Sequence, residues 1–212
     1  MTFISNLHQD FKQNLLKRIS EEALEHRDNS AIVSILVATA DSNLAGDVFS
    51  RLCSLRNEAS DSSGKTAKTQ WDIIRQLQEL FRAMPPDVAI SGMLGHLSLK
   101  FNSVELRVAI ELLGRIGDTG SDLRGQLSDD IRQTLRTYLK GGLPFVLTQD
   151  DFNGSLKSEL ATALARIGNP EDIDDLNKLI QADIERMRKG REAWRKGDRG
   201  PIGNGATMSW SN

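Results

Sequence analysis

ALARIGNPEDIDDL, residues 163–176, repeats in outline what the chain has already written at residues 111–123, ELLGRIGDTGSDL. Arg115-Ile116-Gly117 and Arg166-Ile167-Gly168 stand fifty-one residues apart, and each is followed by Asp or Asn. Each triplet closes an apolar-striped segment, and at Gly117 the expected device is a left-handed glycine stop, a conformation glycine adopts without a Cβ clash. Asn169 and Pro170 then read as a helix cap and a first-turn proline. Glu171, Asp172, Asp174 and Asp175 suit the positive end of the helix that follows. A chain that stops one helix and restarts another twice in the same way is built from a repeated helix pair.

Helical stripes extend from this point in both directions. Ile173, Leu176, Ile180, Ile184 and Met187 carry one towards Trp194. Leu156, Leu160, Ala163, Leu164 and Ile167 form the stripe of a helix from Ser155, and Leu106, Ala109, Ile110, Leu113 and Ile116 that of a helix capped at Asn102-Ser103. Between them, Ser121 or Asp122 is expected to start a helix through Leu123, Leu127, Ile131, Leu135 and Leu139 that stops at Gly141-Gly142, which leaves residues 141–154 as a long loop. A short helix over Asp87–Leu97 is opened by proline.

The first half is helical by the same reading. Phe3, Leu7, Phe11, Leu15 and Ile19 step by four, Asn29 or Ser30 is placed to cap a buried helix, and Leu44, Val48, Leu52 and Leu55 continue the pattern. Asn57–Thr69 is polar and small and reads as a surface loop. A helix from about Thr69 carries Trp71, Ile74, Leu77, Leu80 and Phe81 and stops before Pro85-Pro86.

The segments VELRVAIELLGRIGD and SLKSELATALARIGN-PEDIDDL resemble the second helix, glycine stop and next first helix of HEAT-like repeats of the phycobilin-lyase type. The matching features are Arg107 at a helix start, Ala109, Ala161 and Ala163 on the packed face, and the Arg-Ile-Gly ending. Residues 86–180 carry the resemblance best. The fifty-one-residue spacing exceeds the ~40–47 of HEAT repeats, and the 141–154 loop takes up the excess. The resemblance implies an all-α chain, a right-handed α–α superhelix (an armadillo-type solenoid) of about four helix pairs over residues 1–196. Residues 197–212 are then a glycine-rich irregular tail or the start of an inter-repeat loop. The helix from Pro170 would lack its partner, as in the front segment of a longer protein.

With 27 basic and 29 acidic residues, no global field recommends nucleic acid or an anionic membrane as partner. The single Cys53 forms no intramolecular disulfide, sits among Leu52 and Leu55 as a buried inert thiol, and suits a reducing, cytoplasmic compartment. The N-terminus lacks a signal-peptide pattern, and the most apolar segment, AIVSILVATA, is half the length of a membrane span.

No catalytic constellation, cofactor or metal site is read from the residues. ASDSSGKT, residues 59–66, matches a loose phosphate-binding loop in which Gly64, Lys65 and Thr66 would do the binding. No buried strand leads into it, so a solvated inter-helix loop is preferred. QDDFNGSLKSEL, residues 149–160, lacks the first and twelfth ligands of a calcium loop. His8, His26 and His96 have no motif partners.

The basic run Arg186–Arg199 reads as a solvated face suited to a helix C-terminus, with an acidic partner as its functional alternative. Trp194 alone serves base stacking poorly, so nucleic acid is not the expected partner. The remaining candidate is a surface. Arg107, Glu111 and Arg115 map by the repeat onto Ser158, Thr162 and Arg166, and stacking would set the two rows side by side as a mixed polar strip on the concave face. The resulting expectation is non-catalytic binding or scaffolding of a protein or peptide. A lyase-type accessory subunit, implied by the resemblance alone, is the alternative.

Overall fold

A computed structural model describes residues 2–22, 26–61, 65–98, 102–114, 116, 123, 125–149 and 155–195. Among them every regular element is helical: α1 (Thr2–Glu21), α2 (His26–Ala38), α3 (Ser42–Asp61), α4 (Lys65–Ala83), α5 (Pro86–His96), α6 (Ser103–Leu113), α7 (Asp129–Thr148), α8 (Ser155–Ile167) and α9 (Ile173–Arg195). A 3₁₀ turn at Pro170–Asp172 leads into α9. The chain is all-α, and no described helix is long and apolar enough to cross a membrane.

One apolar core runs from Leu16 to Leu179. In the second half α6 packs on α3 and on α8, and α7 packs on α5, α6 and α8. α9 packs chiefly on α8. At the other end α4 lies against α1, α2 and α3. The matched positions of α6 and α8 do the same work: Ala109 and Leu160, Leu112 and Ala163, Leu113 and Leu164, and Ile116 and Ile167 are all buried.

Local chemistry sets several of these elements. Asn102 accepts from the amides of Val104 and Glu105 at the start of α6. Asn169 accepts from Glu171, and Asp172 reaches back to the Asn169 amide, a reciprocal capping box. α3 and α5 approach so closely that a Cβ on Gly92 would lie 2.3 Å from the Ser42 carbonyl oxygen and 2.6 Å from Ala45 Cβ.

Four expectations are corrected. α7 starts at Asp129, capped by Ser128, and not at Ser121 or Asp122. Leu123 and Leu127 are buried all the same, but from outside the helix. Second, α7 runs straight through Gly141-Gly142 and Pro144 to Thr148, so the stop expected at the glycine pair is helix. Gly142 provides room rather than a stop, because a Cβ there would come within 2.6 Å of the Leu106 side chain on α6.

Gly168, which follows the last residue of α8, is not left-handed. A Cβ there would crowd the Leu164 and Ala165 carbonyl oxygens at 2.9 and 3.1 Å. The matching Gly117 lies outside the described residues. Third, the surface loop expected over Asn57–Thr69 is mostly helix, the end of α3 and the beginning of α4. Fourth, α2 begins at His26, so Asn29 is no cap; it is buried within the helix and its amide donates to Glu79 Oε2 of α4 at 3.1 Å.

Candidate functional site

The polar strip expected on α6 and α8 is largely spent on holding the helices together. Glu111 is half-buried and paired with Arg56 of α3, and Gln78 of α4 donates to it at 3.4 Å. Arg56 in turn stacks over the Trp71 ring, 4.5 Å from its centroid. Arg107 donates to Gln149 Oε1 at 3.0 Å and lies over Phe145, tying α6 to the end of α7.

Arg166 is the clearest departure, because only 6% of it is exposed. Its guanidinium donates to the Leu113 carbonyl at 2.6 Å and to the Ile116 carbonyl. Its own carbonyl accepts from the Leu123 amide at 3.0 Å. A helix leaves its last carbonyls without intrahelical donors. Arg166 satisfies that of Leu113, the last residue of α6, and that of Ile116 just beyond it, so this Arg of the fifty-one-residue echo is engaged with the end of α6. Burial lowers its pKa. Arg115 lies outside the described residues.

Ser158 and Thr162 remain exposed, and with Ala161 and Ala165 they form one wall of a different feature. This is a groove of about 390 Å³ between α8 and α9, whose other wall is Leu176, Ile180, Ile184 and Met187. Ile173, Ile180, Ile184 and Met187 are 56%, 48%, 46% and 44% exposed. They account for four of the seven large hydrophobic side chains exposed among the described residues. Contiguous exposed apolar surface of this kind marks contact sites.

The corresponding stripe one helix pair earlier is covered. Aligning the caps Ser128 and Asn169 sets Leu135, Leu139, Leu143 and Val146 of α7 against Leu176, Ile180, Ile184 and Met187 of α9. The α7 residues are buried among α5, α6 and α8. The sequence marks the α9 stripe as the apolar face of a helix, and periodicity alone does not name the neighbour that covers it.

An ionic cluster fixes the start of α9 on α7. Arg136, itself buried, donates through Nε to Asp172 Oδ2 at 2.7 Å and through Nη2 to Glu171 at 3.1 Å. Lys140 reaches Asp172 at 3.0 Å and Asp175 at 2.9 Å. Burial alone would raise the Asp172 pKa, yet Arg136, Lys140 and the Asn169 amide hold it below the ordinary carboxylate value. Lys140, followed by Lys178, lowers that of Asp175. The α8–α9 groove is therefore built on a rigidly seated helix.

Three cations of the basic run pair with acids of their own helix. Arg186 pairs with Asp183 at 2.8 Å, Arg188 with Glu192 at 3.4 Å, and Lys189 with Glu185 at 3.6 Å. Lys196 and Arg199 lie outside the described residues, as does Gly64. Lys65 and Thr66 fall in the first turn of α4, and the element before them is helix α3, so the strand of a phosphate-binding loop is not present there. Among the described residues no group of three or more His, Cys, Asp or Glu is placed to hold a metal ion. Comparison with protein-family models, with curated proteins and with solved structures finds no match to this chain.

Proposed function

We propose that this chain is a non-catalytic protein-binding or scaffolding module, built as a right-handed HEAT-like stack of helix pairs and working in a reducing, cytoplasmic setting. Its contact surface is the α8–α9 face. The observation that carries this reading is the exposed stripe Ile173, Ile180, Ile184 and Met187 beside the small residues of α8. The repeat supports it, since the equivalent α7 stripe is buried by neighbouring helices. A helix packed into the α8–α9 groove would extend the stack by the same ridge-and-groove contacts.

The test is a photo-reactive phenylalanine analogue at Ile184, compared with one at Arg75, an exposed side chain on α4. In the native cell, position 184 is expected to yield a discrete protein adduct and position 75 none. Adducts absent at 184, or equal at both positions, contradict the reading.

A further inference from the structure

We infer that the α8–α9 face pairs with a second copy of this chain, α9 lying antiparallel on its counterpart about a two-fold axis at Ile180. This rests on the reading of that face as the contact surface and names its occupant.

The first argument is the spacing of the stripe. Ile173, Leu176, Ile180, Ile184 and Met187 are separated by three, four, four and three residues, the same read in either direction from Ile180. Two antiparallel copies therefore set Ile180 against Ile180, Ile184 against Leu176, and Met187 against Ile173, along roughly 21 Å at a rise of ~1.5 Å per residue. A two-fold interface requires a patch that is complementary to itself in this way.

Charge selects the direction. The beginning of α9 presents the exposed Asp174, its neighbour Asp175 being paired with Lys140 and Lys178, and its end is basic, with Arg186, Arg188, Lys189, Arg191 and Arg195. Parallel copies would set like charge against like. Antiparallel copies set each basic half against an acidic half and oppose the helix dipoles. Turns of 100° per residue place Asp174 and Arg188 on the flank that carries Ile184, so each Asp174 meets the Arg188 of the other copy. Arg188 is 62% exposed and, among the described residues, is held within its helix by Glu185 at 3.9 Å and Glu192 at 3.4 Å. Those contacts are weak enough to be exchanged. On the opposite flank the small residues Ala161 and Ala165 let α8 approach its counterpart and complete a four-helix layer.

The test is the mass of the full chain by light scattering, from low to high micromolar concentration. Twice the chain mass is expected, with Ile180→Glu monomeric at unchanged helical circular dichroism. Asp174→Arg is expected to weaken association about tenfold through its two symmetric contacts, and adding Arg188→Asp to restore it. With Cys53→Ser as background, Ile180→Cys should trap a disulfide dimer and Lys178→Cys should not. That trap decides the matter if Ile180→Glu loses helicity. A single-chain mass at every concentration, or no trapping at Ile180→Cys, overturns self-pairing. A single-chain mass with a photo-adduct from Ile184 to another protein overturns it and leaves the contact face standing.

Discussion

Arg166, in the last turn of α8, donates from its guanidinium to the main-chain carbonyls of Leu113 and Ile116 at the end of α6, the first at 2.6 Å. One side chain of α8 thus satisfies main-chain carbonyls at and just beyond the end of α6. Arg166→Ala leaves both carbonyls without this donor in a buried site and is expected to cost about 2–4 kcal/mol. Arg166→Lys recovers only part of that, because a single ammonium lacks the planar fork that reaches both oxygens. Urea unfolding of the three chains checks the order wild type, Lys, Ala.

Gly92 and Gly95 lie on the same helix, one turn apart in opposite environments. A Cβ at Gly92 meets the backbone of α3, which cannot yield as a side chain can, and Gly92→Ala is expected to destabilise by about 1–3 kcal/mol. At Gly95 a Cβ meets nothing within 4 Å, so Gly95→Ala is expected to stabilise by about 0.5–1 kcal/mol through helix propensity. Thermal melts of the two variants should move in opposite directions.

Asp172 links the acid sensitivity of the fold to the seat of α9. Its pKa is depressed in the folded chain, so its stabilisation is present above the unfolded value of ~3.9 and is lost as pH falls through the lower folded value. Asp172→Asn leaves the buried Arg136 without its closest carboxylate and is expected to cost about 3 kcal/mol at neutral pH. The difference from wild type should shrink as the pH is lowered below ~4. Chemical denaturation at several pH values measures that convergence.

Cys53 is half-buried, and burial followed by the nearby Glu105 pushes its thiol up to about 12. At pH 8 the folded chain should label with a thiol reagent roughly a thousandfold more slowly than a free cysteine, since only the thiolate reacts. Unfolding in urea should abolish the difference.

The helical class was legible because nearly every apolar stripe kept its period, and the fifty-one-residue echo located α6 and α8 correctly. The course of α7 was not legible. Gly141-Gly142 carries the composition of a stop, whereas Gly142 answers to the Leu106 side chain of a neighbouring helix, which no local pattern reveals. The internal partners of the strip were not legible for a similar reason. Arg107, Glu111 and Arg166 repeat at surface spacing, but their partners (Gln149, Arg56 and the α6 carbonyls) lie 42 to 55 residues away. At α9 the opposite happened. Its stripe was legible as an apolar face, and only the packing of α5 through α8 shows that the equivalent α7 stripe is covered while the α9 stripe is not.

The contact face is tested most directly by the sedimentation of the fluorescently labelled chain in native cell lysate, beside the double variant Ile180→Glu/Ile184→Glu. Both side chains are nearly half exposed, so the variant should melt as the wild type does. The wild type is expected to sediment as a defined species larger than one chain, and the variant as a single chain. Identical sedimentation of the two would contradict the assignment of the α8–α9 face as the surface through which this protein makes its contacts.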